Sequence, residues 1–102
     1  MWKKTFAYIK YYLFKTYSIK KCNDTPKQIN NYVIYLINDW SIALKCPCGC
    51  NENIYLNTLK EASPKWSYSI KKRKINIFPS VDRLRGCKSH FWVKKGKIKW
   101  SQ

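Results

Sequence analysis

The sequence predicts a mainly β domain, and three observations carry that expectation. From residue 32 onward, short runs rich in Val, Ile, Tyr, Phe and Trp alternate apolar with polar positions. Turn-forming residues separate these runs: Asn38-Asp39, Pro64, Pro79 and Lys95-Gly96. A chain of 102 residues has room for one modest core, and domains of this size commonly need a staple. Two short clusters of Cys and His offer one. The expected architecture is a small single-domain twisted antiparallel sheet or sandwich stapled by one zinc, with an N-terminal helix left open.

The elements follow in order. In residues 1–21, Trp2, Phe6, Ile9, Leu13 and Tyr17 recur at helical spacing, yet the abundant Tyr, Phe, Ile and Thr favour strands. A helix and a strand pair both remain open there. A polar break with Asn23-Asp24 and Pro26 divides this basic, aromatic N-terminal segment (1–25) from a β domain (26–102). The run "YVIYLIND" is a strand ending in a hairpin turn at Asn38-Asp39. The next strand places Trp40, Ile42 and Leu44 on one face. In "NIYLNTL", Ile54, Leu56 and Thr58 oppose Tyr55, Asn57 and Leu59. Trp66, Tyr68 and Ile70 share a face, and Ile75 and Ile77 oppose Asn76 and Phe78. Pro79 is expected to close that strand and "SVDRLRG" to form a loop. Two last runs around Lys95-Gly96 read as a closing hairpin.

Hydrophobic residues make up 45% of the chain and aromatics 17%, too many for a disordered tail. Lys and Arg number 21 against 5 Asp and Glu, a formal net charge of +16. No fold requires such an excess, which speaks instead of partners: nucleic acid, an anionic membrane surface or an acidic protein. An AT-rich genome also raises Lys, so charge alone does not assign the partner. Lys10 interrupts the first apolar run and no small-residue cleavage site follows it, which is unlike a secretory signal. No apolar run reaches the length of a membrane span. Five cysteines are an odd count, four of them in the two clusters. Metal in a reducing, cytoplasmic setting fits this better than a disulfide framework.

The first cluster is "CPCGC", with Cys46, Cys48 and Cys50; the second is "CKSH", with Cys87 and His90. Zinc takes four thiolate or imidazole ligands in structural sites. Pro47 can stiffen the knuckle, and Gly49 can adopt positive φ so that the chain turns back. The spacing favours Cys87 and His90 as ligands, completed by two of the three knuckle cysteines, Cys46 and Cys48 ahead of Cys50. Cys22 stands apart as a bystander. Glu52 is the sole carboxylate near the cluster and the one candidate for a base beside the metal. Cys50-Asn51-Glu52 gives a superficial C-x-E, but no P-C-x-x-C follows as a deaminase would require. A single histidine excludes a Rieske centre within one chain.

These residues resemble a small, largely uncharacterised bacterial and phage family. Its pattern is matched in order by Tyr35; by Cys46, Cys48, Gly49 and Cys50; by Trp66; by Pro79 and Ser80; by Cys87, Ser89, His90 and Phe91; and by Gly96, Ile98 and Trp100. The resemblance spans about residues 30–102. It implies zinc binding and an association with bacterial defence or ubiquitin-like conjugation. Asn51 replaces the glycine usual after the third cysteine, and Asn also tolerates the left-handed region.

Basic clusters at Lys71, Lys72, Arg73 and Lys74, and at Lys94, Lys95, Lys97 and Lys99, lie at expected hairpin tips and edges. They could contact phosphates, with aromatics stacking on bases. Equally, edge lysines prevent sheet-to-sheet aggregation, and the tryptophans can fill the core. The leading expectation is a basic, zinc-stabilised binding module for an acidic partner, nucleic acid first, with no catalytic role required. The alternatives are a protein-interaction factor in a defence or ubiquitin-like conjugation pathway, and a zinc hydrolase using Glu52.

Overall fold

The computed structural model of the chain describes residues 16–83 and 86–101. Its strands are β1 Ser18–Cys22, β2 Val33–Ile37, β3 Ser41–Lys45, β4 Asn53–Asn57, β5 Ser67–Lys71, β6 Lys74–Asp82, β7 His90–Lys94 and β8 Lys97–Trp100. No helix occurs among the described residues. Most of the N-terminal segment expected as helix or strand (residues 1–15) lies outside them, while its last part forms β1.

The strands make two sheets of four, ordered β1-β2-β3-β4 and β5-β6-β7-β8. Every neighbouring pair is antiparallel except β1 and β2, which run parallel. A parallel pair cannot close with a tight turn, and the polar break at residues 23–32 supplies the crossover. Short turns close β2–β3, β5–β6 and β7–β8, while longer loops join β3 to β4 and β6 to β7. In the β7–β8 hairpin Lys95 and Gly96 have φ of 51° and 73°, the left-handed pair that matches strand twist.

Alternation decides which faces meet. Ile34 and Leu36 of β2, Ile42 and Leu44 of β3, and Ile54 and Leu56 of β4 face one way. They pack on Ile75, Ile77 and Val81 of β6, Phe91 and Val93 of β7, and Ile98 of β8. The result is a sandwich with one shared core. Ile29, Tyr35, Ile37 and Ala43 form a smaller cluster on the back of the first sheet. Phe91 is fully buried and its ring meets Trp100 edge-on at 5.8 Å. Phe91→Ala is expected to cost about 3–5 kcal/mol, read as a fall in the urea midpoint at unchanged slope.

Two local expectations are corrected, and one shared face holds but stays open to solvent. Trp40 precedes β3 and is exposed, because the Asn38–Trp40 turn carries it away from the face that Ile42 and Leu44 share. In β5, Tyr68 and Ile70 lie across from the core residues Ile77 and Ile75, but the strand is at the sheet edge, so both remain about 40% exposed (Tyr68 40%, Ile70 41%). Pro79 does not end its strand: β6 runs on to Asp82. Between the pairs Ile77–Val93 and Val81–Phe91, β6 advances four residues while β7 advances two. A bulge absorbs the excess and accommodates a proline that a regular ladder would not.

Candidate functional site

In an antiparallel sandwich, alternate loops gather at one end. Here the β3–β4 loop meets the β6–β7 loop, and all the clustered cysteines are on these two loops. The Cys46 N–H donates to the Glu52 carbonyl at 2.8 Å, which closes the knuckle. Gly49 (φ 93°) and Asn51 (φ 69°) turn the chain inside it, so Asn51 does adopt the left-handed conformation.

The Cys46 sulfur lies 3.4 Å from that of Cys48 and 3.5 Å from that of Cys87. With Cys50 added, all four sulfurs fall within 4.8 Å of one another. Zn–S bonds of about 2.3 Å place tetrahedral sulfurs about 3.8 Å apart. The four thiols therefore could hold a metal ion, and their spacing and softness fit a thiolate-bound one. Outer contacts support the set. The Cys50 N–H points at the Cys48 sulfur at 3.3 Å, and the Ser89 hydroxyl is 3.1 Å from the Cys87 sulfur. Arg83 aims Nη1 at the sulfurs of Cys50 and Cys87, at 3.7 and 3.6 Å. Its Nη2 pairs with Glu52 at 3.1 Å. The guanidinium thus offsets negative charge that converging thiolates would accumulate.

Burial pushes the Cys46 thiol up to about 12. At Cys50 the Glu52 backbone N–H favours the thiolate, but desolvation and the Cys48 and Cys87 thiols leave it raised. Burial also opposes ionisation of Cys87, but the Ser89 hydroxyl and backbone N–H outweigh it and bring that thiol down to about 6. Near neutral pH, then, at least Cys46 and Cys50 must each lose a proton when a metal binds. Two displaced protons make apparent affinity rise about a hundredfold per pH unit. A competition titration with a chromophoric chelator at pH 7 and pH 8 is expected to show at least that rise.

His90 is not in the sulfur cluster. Its Nε2 lies 2.8 Å from the Ser80 hydroxyl oxygen. His90 opens β7 and Ser80 sits in the β6 bulge, which turns its side chain toward the imidazole. Both residues are held through their carbonyls. Trp66 donates its indole N–H to the Ser80 carbonyl at 3.3 Å, and the Ser101 N–H donates to that of His90 at 2.9 Å. Directly opposite His90 in the ladder is Asp82. The site is a hydroxyl–imidazole pair, the arrangement that activates a serine.

A family model described as bacterial ubiquitination-like system serine protease (BubE) matches residues 21–101. The chain belongs to the BubE family. No curated protein and no solved structure matches it. Membership places the expected link to a bacterial ubiquitin-like pathway on the family itself, while nucleic acid gains no support. Ser80 is the residue hydrogen-bonded to His90, the single histidine of the sequence.

The sequence reading singled out His90 for its closeness to Cys87 and left Ser80 in a loop. The available signal was Pro79-Ser80 within the family pattern, a short distance upstream of a lone histidine. Glu52, the carboxylate candidate, spends its oxygen on Arg83, 3.9 Å from the Cys50 sulfur. Cys22 ends β1, half-buried against the smaller cluster. Both basic clusters lie in the second sheet, at the end away from the cysteines. No helix among the described residues is long and apolar enough to cross a membrane.

Proposed function

We propose that this domain is a serine peptidase acting on a ubiquitin-like protein or its conjugates, with Ser80 as nucleophile and His90 as base. The 2.8 Å contact between Ser80 Oγ and His90 Nε2 carries this reading, and the family description supports it. In the first step Ser80 Oγ attacks the scissile carbonyl carbon while His90 Nε2 takes the hydroxyl proton. His90 returns that proton to the leaving nitrogen as the C–N bond breaks, leaving an ester on Ser80. Water, deprotonated by the same nitrogen, then releases the new carboxyl group, and Ser80 recovers its proton. Asp82, across the ladder from His90, would be the carboxylate that stabilises the transient imidazolium.

Cys46, Cys48, Cys50 and Cys87 would hold one zinc ion. A shell filled by four thiolates leaves no open position, so the ion cross-links the two loops and does not activate water. Its contribution reaches the reaction through the chain: Cys87 is three residues before His90, and Arg83 is three after Ser80. The test is covalent capture. A fluorophosphonate is expected to add to Ser80, located by mass spectrometry of the digested protein, and His90→Ala should suppress the labelling. Turnover that continues in Ser80→Ala, or label found only elsewhere, would overturn the assignment.

A further inference from the structure

The outer face of the second sheet remains unaccounted for. Its inner face is the core, so by alternation the outer face presents Lys71 of β5, Lys74 of β6, Lys94 of β7, and Lys97 and Lys99 of β8. The two hairpins that supply them are joined: the Gly96 N–H donates to the Ile75 carbonyl at 2.7 Å and the Lys95 N–H to Asn76 Oδ1 at 2.9 Å. The lysines therefore form one field. Between them and the hydroxyl–imidazole pair lie Phe78, 47% exposed, and Trp92, with the Lys94 ammonium 4.9 Å above its ring. His90, Trp92 and Lys94 follow one another on this face of β7. Asp82 is its single carboxylate.

The neighbouring turn adds a second observation. Lys72 and Arg73 have φ of 52° and 65°, where Asn-Gly is the unstrained choice. Two basic residues are thus held in a conformation that side chains other than Gly, Asn and Asp seldom adopt.

We infer that this face is the docking surface for the folded body of the ubiquitin-like substrate, through an acidic patch on that body, while its extended tail reaches Ser80. The inference rests on the peptidase reading for the tail, and on charge complementarity for the body. Lys94 is four residues from His90 along β7, about 13 Å. About four extended residues of tail span that distance. The exposed ring of Phe78 and the half-buried ring of Trp92 lie beneath the path and supply apolar contact.

The test compares the wild-type protein with a Lys71→Glu, Lys74→Glu, Lys94→Glu, Lys99→Glu variant on two substrates. One is a full-length ubiquitin-like precursor from the same conjugation system; the other is a peptide of its tail. For the precursor, KM is expected to rise at least about tenfold with kcat within about twofold, and added salt should raise the wild-type KM. For the peptide, kcat/KM should stay within about twofold, which also reports an intact fold. Equal losses on both substrates, or no change on either, would overturn the docking surface. Binding of the precursor to Ser80→Ala protein, read by calorimetry, separates the two readings. If neither substrate is cleaved, weaker binding on charge reversal still upholds the surface while the peptidase reading falls. Retention of a short RNA or DNA duplex with no binding of the precursor would overturn it in favour of nucleic acid.

Discussion

Replacing Ser80 with alanine is expected to lower kcat by a factor of about a thousand or more, with KM and thermal midpoint nearly unchanged. The side chain is half-buried at a bulge, and removing one hydroxyl creates no cavity in the core. The loss is therefore chemical. His90→Ala should cost a similar factor, and the double variant little more than either single one, because the two groups act as one unit. Glu52→Gln sharpens the contrast. It breaks the ion pair between the exposed Glu52 carboxylate and the largely covered Arg83, worth about 1 kcal/mol or less, and should leave kcat within about threefold. A zinc hydrolase using Glu52 would instead lose its turnover.

On the proposed reading that the four thiols hold zinc, its removal is the second large effect. A small domain is stable by about 5–15 kcal/mol, and structural zinc contributes an amount comparable to that whole margin. Treatment with a strong chelator, or Cys87→Ser, is expected to lower the thermal midpoint by at least about 15 °C, since each kcal/mol moves a domain of this size by roughly 4–8 °C. Activity should disappear with the fold and return when zinc is added back to the chelated protein. Cys22→Ser is the control. Cys22 lies outside the sulfur cluster, so metal content, measured by elemental analysis, should stay at the wild-type value. A chelated protein that keeps both its midpoint and its activity would sink the structural role.

The strands were largely legible because their signal is local. Ile42 and Leu44, Ile54 and Leu56, and Ile75 and Ile77 keep a period of two, and each pair is in the core. Turn chemistry at Asn38, Lys95 and Gly96 was equally readable from residue type. The failures occurred where a neighbour outweighed the local signal. Tyr68 and Ile70 alternate correctly, yet their strand is at the sheet edge, so burial did not follow pattern. Pro79 is a strand breaker in isolation, but the bulge opposite β7 accommodates it and the strand continues through Ser80.

The thiol cluster divides in the same way. That cysteines spaced C-x-C-x-C and a distant Cys87 could meet was visible in their type and spacing. Which sulfurs converge depends on two loops brought together by sheet packing. Sequence proximity of His90 to Cys87 suggested one shared site. Alternation along the chain into β7 sends His90 to the outer face, where it meets Ser80.

By itself, then, the sequence determined the strand periodicity, the turns, the basic excess and the thiol inventory, because each depends on residue type and short spacing. Only the tertiary structure decided that His90 bonds Ser80, that four sulfurs share one end, and that the lysines occupy the same face as the hydroxyl–imidazole pair. Those facts depend on register between strands distant in sequence, and a two-residue bulge is enough to change which side chains meet.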